Sequence, residues 1–267
     1  VSEITDTTVK VVVGTNSDVE AADFTSISYT DVNGTLVTLN TQTDIQNFLT
    51  NGVEVKIPKG SKEAPVITFT VEDDSVYEKL ETLELTIDSA TNADVSTTAS
   101  KATAVINDED GKTPDDKEGD KPVVSIAATD AIAVEGIDNT VSFKVSQNNV
   151  SEITDTTVKV VVGTNSDIEA EDFTSISYTD VNGNVVTLTD TADIQDFLTN
   201  GVEVKIPEGS TVAPAITFEV KDDSVYEKLE TLELVIDSAT NATISTTAGS
   251  ATATIEDNYN PTDDPKD

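Results

Sequence analysis

Val202-Glu-Val-Lys-Ile-Pro207, Ala215-Ile-Thr-Phe-Glu-Val-Lys221 and Thr231-Leu-Glu-Leu-Val-Ile236 alternate apolar and polar side chains along the chain. A period of two puts successive side chains on opposite faces of an extended strand, and the β-branched content suits such a surface. These stretches are half-buried strands. The same signature occurs at Val123 to Ala127, Thr140 to Ser146, Thr157 to Gly163 and Ala251 to Glu256. Together they give about seven or eight short strands, the number of an immunoglobulin-like sandwich. The expected fold class is therefore all-β, built from antiparallel β-sandwiches.

Two local features interrupt the strands. Asn33-Gly34 and Asn182-Gly183 lie between strand residues, and Asn-Gly supplies the positive φ angles that a tight hairpin turn requires. Thr191-Ala-Asp-Ile-Gln-Asp-Phe-Leu-Thr-Asn-Gly201 reads as a short helix. Thr or Asp caps its start, Ile194, Phe197 and Leu198 form one face, and Gly201 stops it. This helix is inserted between strands and is expected to plug one edge of the sandwich.

The chain repeats itself. Val1-Ser-Glu-Ile-Thr-Asp-Thr-Thr8 recurs at Val150 to Thr157, and most positions match from there on. The spacing is too long for a solenoid unit and suits a whole domain with its linker. Pro122 to Asn149 has no counterpart before Val1, so residues 1–110 are expected to form a partial sandwich lacking its first strands. Residues 111–121 read as an acidic linker, 122–258 as a complete sandwich, and 259–267 as the start of a further linker leading to another repeat.

Composition narrows the chemistry. Fifty-one acids against 15 bases give a net charge of −36, whereas about 2–8 in magnitude is usual for a small domain. Such a chain repels phosphate, which excludes nucleic acid and anionic membrane as partners. There is no Cys and no His, so disulfides, imidazole bases, the Ser-His-Asp and Cys-His triads, and His- or thiolate-ligated zinc are all excluded. Oxygen ligands remain. They suit calcium, which takes six to eight at about 2.3–2.6 Å. No apolar run is long enough to span a membrane, and the chain start has no signal-peptide pattern, so any export signal is expected outside this stretch.

The densest acid cluster is Asp222-Asp223-Ser-Val-Tyr-Glu227-Lys-Leu-Glu230, and its twin is Asp73-Asp74-Ser-Val-Tyr-Glu78-Lys-Leu-Glu81. Two carboxylates 4 Å apart repel by about 4 kcal/mol at an effective dielectric of 20, and a divalent cation turns that repulsion into affinity. The glycosylation sequons Asn33-Gly-Thr and Asn241-Ala-Thr are read as chance, and Tyr77 and Tyr226 as packing over the acid loops rather than as sugar platforms.

Four motifs over residues 122–258 carry a resemblance: Val134-Glu135-Gly136, Glu171-Asp172-Phe173, the Asp-Asp…Glu…Glu hairpin at 222–230, and Ile255-Glu256-Asp257. The segment resembles the Calx-beta domains of the sodium-calcium exchanger's regulatory region and of bacterial surface proteins. The resemblance implies a Calx-beta-like sandwich that binds calcium through loop acids at one end. Carried over by position, the implied ligands are Glu135, Asp172, Asp222, Asp223, Glu227, Glu230 and Asp257, with Glu256 turned away by strand alternation. In the first copy they are Asp23, Asp73, Asp74, Glu78, Glu81, Asp108 and Asp110, with no counterpart of Glu135. Lys228-Leu229 and Leu232 depart from the family pattern, as does the inserted hairpin and helix from Asp180 to Gly201. These departures bring the chain nearer to extender repeats of large bacterial, repeats-in-toxin type surface adhesins.

The function expected is a calcium-stiffened stalk module of such an adhesin, extracellular and on the bacterial surface, with neighbouring repeats of the same chain as its partners. A role in cell adhesion and biofilm formation would follow. The alternative is a calcium-dependent adhesive module that grips carbohydrate or protein; the absence of Trp stands against a sugar site. An enzyme is not expected, because a catalytic site rarely needs near-identical tandem copies.

Overall fold

The structure, a computed structural model, describes residues 1–107, 120–223, 225 and 227–257. Asp108, Asp110, Tyr226 and most of both linkers lie outside the described residues. The chain divides into two compact units: Val1–Asp74 with Lys79–Gly119, and Ser75–Glu78 with Asp120–Asp267. The short segment Ser75–Glu78 thus groups with the second unit, a division that the repeat boundaries do not suggest.

In the first unit the strands are β1 (Thr7–Val13), β2 (Phe24–Thr30), β3 (Leu36–Leu39), β4 (Val53–Ile57) and β5 (Thr68–Val71). The segment Val76–Tyr77 (β6) intervenes before β7 (Glu81–Ala90) and β8 (Lys101–Ile106). One sheet runs β4-β1-β7-β8 and the other β3-β2-β5. Their shared core is Ala21, Phe24, Ile27, Ile45, Phe48 and Leu83.

The second unit contains β9 (Val123–Asp130), β10 (Ile132–Val134), β11 (Thr140–Gln147), β12 (Val150–Ser151), β13 (Thr156–Val162), β14 (Phe173–Thr179) and β15 (Val185–Leu188). It continues through β16 (Val202–Ile206), β17 (Ile216–Val220), β18 (Glu230–Thr240), β19 (Thr243–Ile244) and β20 (Ser250–Glu256). Its sheets run β10-β20-β18-β13-β16 and β15-β14-β17-β11-β9-β19, and β12 pairs in parallel with β6. The fold class is all-β: immunoglobulin-like antiparallel sandwiches, each carrying one short helix. The strand count exceeds the seven or eight expected because β10, β12 and β19 are too short to show a period.

The chain changes sheet between Asp130 and Ile132, so β9 joins one sheet and β10 pairs in parallel with β20 in the other. That crossing closes the sandwich. Inside it Phe143, Phe173 and Phe197 surround Phe218, with ring centroids 6.0, 5.3 and 5.4 Å away. Val158, Val160, Val204, Leu232 and Leu234 back them from the opposing sheet, all fully buried. Each such side chain contributes about 1.5–3 kcal/mol relative to exposure.

The helices are α1 (Gln42–Asn51) and α2 (Thr191–Asn200). Thr41 caps α1 by accepting the Asp44 N–H, and Asp190 caps α2 by accepting the Ala192 N–H. Ile194 and Phe197 of α2 enter the core, which makes the helix a lid on one end of the sheets. Gly52 and Gly201 end the helices at φ 66°, and a Cβ there would strike the carbonyl oxygens of Val11 and Val160.

Candidate metal centre

The centre forms where three loops of the second unit meet. Asp172 ends a single 3-10 turn, Ala170–Asp172, and is held there by the backbone N–H of Glu169. An acid at the third position of such a turn reaching back to the starting N–H is a capping arrangement. Glu227 lies between β17 and β18, and Glu230 opens β18. One carboxylate oxygen from each of Asp172, Glu227 and Glu230 lies within 4.8 Å of the other two. All three are partly buried.

Glu135 approaches from the turn after β10. It is 3% exposed, and its Oε2 is buried without a hydrogen-bond partner among the described residues. Its backbone N–H donates to the carbonyl of Glu256, which fixes it beside the end of β20. Burial, then the Glu227 carboxylate, push the Glu135 carboxyl up to about 7. Burial, then Asp172, push Glu230 up to about 7 as well. Asp172 and Glu227 are also raised, chiefly by burial. Four carboxyls raised together mark a site short of positive charge.

The other expected ligands are placed differently. Asp257 Oδ2 accepts the Glu227 N–H at 3.2 Å, which positions that loop. Asp223 is exposed and pairs with Lys221 at 3.0 Å, and the Val225 N–H followed by Lys221 lowers its pKa. Asp222 is exposed and stands outside the group of three. Glu256 is exposed on β20. Lys221 was not singled out from the sequence, although a base two residues before Asp223 is a readable signal for a charge partner.

The first unit assembles less. Asp23 is buried and hydrogen-bonded to Glu81, with Asp74 nearby, and burial above all raises its pKa. Asp73 is exposed, and Glu78 belongs to the segment grouped with the second unit. Glu72 stands where the second copy has Lys221.

No family model matches the chain, and no curated protein does. Among solved structures the chain is similar to the apo form of the Calx CBD1 domain, at 15% identity and TM-score 0.34, over 51% of this chain and 99% of that one. It is also similar to CBD12 from CALX1.2, at 12% identity and TM-score 0.29, over 94% and 87%. A third similar structure is the collagen-binding domain from a Staphylococcus aureus adhesin, at 15% identity and TM-score 0.23, over 51% and 97%. These scores are low, and the fold of this chain rests on its own sheets.

Proposed function

We propose that the chain is a calcium-binding structural repeat whose acid centre gains stability and stiffness from the ion. One observation carries this reading: beside three converging acids, the buried Oε2 of Glu135 has no hydrogen-bond partner among the described residues. An oxygen-only donor set of this kind fits a hard divalent cation, and calcium suits it better than magnesium, which keeps its waters. Asp172, Glu227, Glu230 and Glu135 would hold the ion, with Asp257 ordering the Glu227 loop.

The repeated, strongly acidic, cysteine-free sequence supports a further reading as a stalk module on a bacterial surface, where repeats of one chain are strung in series and no reaction is catalysed. Millimolar calcium would fill about half to nine-tenths of the sites of even a weak extracellular module, for which Kd is about 10⁻⁴–10⁻³ M.

Isothermal titration of calcium into the 267-residue chain tests the metal reading. Saturable binding is expected, and Asp172→Asn with Glu230→Gln should remove its strongest phase. Absence of binding heat together with unchanged melting in calcium and in EDTA would overturn it.

A further inference from the structure

The acid centre of the second unit keeps a base at its rim. The backbone N–H of Lys221 donates to the carbonyl of Asp172 at 2.8 Å, which anchors the residue to the 3-10 turn that carries this acid. Its Nζ lies 3.0 Å from Oδ2 of Asp223. Asp223 in turn gives its backbone N–H to the Glu135 carboxylate. The stretch from Lys221 to Asp223 is thus tied to two sides of the centre through its backbone, while its two charged side chains pair with each other. The Asp223 hydrogen bond first, and then the charges of Asp223, Glu227 and Asp172, raise the Lys221 pKa.

We infer that Lys221 is the resident counter-ion of this centre: its ammonium offsets the converging acids and holds the Asp223 side chain until a divalent cation enters, and it thereby weakens the binding of that cation. The inference rests on the calcium reading given above. A divalent ion among Asp172, Glu227, Glu230 and Glu135 repels the ammonium, with an energy that grows as the inverse of their separation. The Lys221 side chain is 45% exposed, so its head can swing into water without burying an unpaired charge. The released Asp223 carboxylate is then free to turn to the ion. This competition accounts for an acid of the hairpin that stands outside the group of three. The first copy has Glu72 at the matching position, so the same loop occurs in this chain with the opposite charge.

The test compares the 267-residue chain with Lys221→Gln, Lys221→Glu and Lys221→Arg by calorimetric titration of calcium, reading the phase that Asp172→Asn with Glu230→Gln abolishes. Removing one positive charge several Å from a divalent ion, in a dielectric near that of water, should tighten Kd about threefold to tenfold in Lys221→Gln. Lys221→Glu should bind tighter still, and Lys221→Arg should stay close to the parent. Raising the salt from about 0.05 to about 0.5 M should narrow the gap between parent and Lys221→Gln. In EDTA the second unit of Lys221→Glu should melt below that of the parent, because a further negative charge joins the acids. One Kd shared by the parent, Lys221→Gln and Lys221→Glu overturns the inference and leaves the calcium reading standing. Weaker binding by Lys221→Gln overturns it too, by making Lys221 a support of the filled site. If neither the parent nor any variant binds calcium, the calcium reading itself falls and takes this inference with it.

Discussion

Phe218 and Phe69 occupy the same place in two copies of one sequence and have different surroundings. Phe218 is fully buried among three other rings, whereas Phe69 meets two and stays half-buried. Neighbouring sequence is nearly the same, so local propensity cannot be the cause. The difference is Phe143 and the strands that carry it. Burial in a sandwich belongs to the pair of faces, and a strand with the right alternation exposes its apolar side when the covering strand is lacking.

The same contrast governs the acids. In the second unit the turn after β10 brings Glu135 beside Glu227 and Glu230, whereas the first unit joins Asp23 to Glu81 with Asp74 near. A centre that lacks its buried acid should bind a cation less tightly. The largest expected difference between the copies is therefore calcium-dependent. Melting of the second unit should rise by about ten degrees or more between EDTA and millimolar calcium, and that of the first by much less. Exchange rates resolved by residue would report the two separately. Equal shifts would break the comparison.

Core truncation should come next in size. Phe218→Ala should cost about 3–5 kcal/mol, as for a fully enclosed ring. Phe69→Ala should cost about 1–2 kcal/mol, because less surface leaves water there. Denaturant melts of each variant decide it, and similar costs would show that the first unit is better covered than its edges indicate.

A smaller effect concerns pH in the absence of calcium. Glu135 and Glu230 titrate near 7 in the folded unit against an ordinary glutamate value of 4.5. Between those values the folded state holds protons that the unfolded chain releases, so stability rises as pH falls from 8 to 6. Above 7 both carboxylates are ionised and the full cost of their burial is felt. Glu135→Gln should flatten this dependence in the second unit. An unchanged slope in that variant would remove Glu135 from the account.

The smallest difference is expected at the helix ends. Gly52→Ala and Gly201→Ala place a Cβ against a backbone carbonyl at the same φ in both copies. Each should cost at least about 1–3 kcal/mol, the penalty of a backbone conformation (φ 66°, ψ −170°) open essentially to glycine alone, and the two costs should agree closely. A large disagreement would mean that the copies differ locally as well as in their covering strands.

Strand, turn and helix were legible because each is a short-range matter. The alternation at Val202 to Ile206 and the Ile194, Phe197 and Gly201 pattern appear in the structure where the residues indicate them; the hairpin at Asn182-Gly183 also forms, but only Gly183 takes a positive φ, and residues 180–184 connect the strands in place of a two-residue turn. Ile132–Val134 was not legible, since three residues carry no period. Within the acid hairpin, spacing alone did not separate the inward Glu227 and Glu230 from the exposed Asp222 and Asp223. That sorting depends on where a loop turns back and on Lys221, which draws Asp223 to itself.

By itself the sequence determined the all-β class, the duplication, the short capped helices and an oxygen-only chemistry suited to a hard cation. Only the tertiary structure decided that β10 crosses to β20 and that Glu135 comes beside Glu227 and Glu230 with an oxygen that has no partner among the described residues. Alternation, capping and charge act over a few residues and can be read one segment at a time. Sheet order and the meeting of distant loops are set by long-range pairing, which no single segment contains.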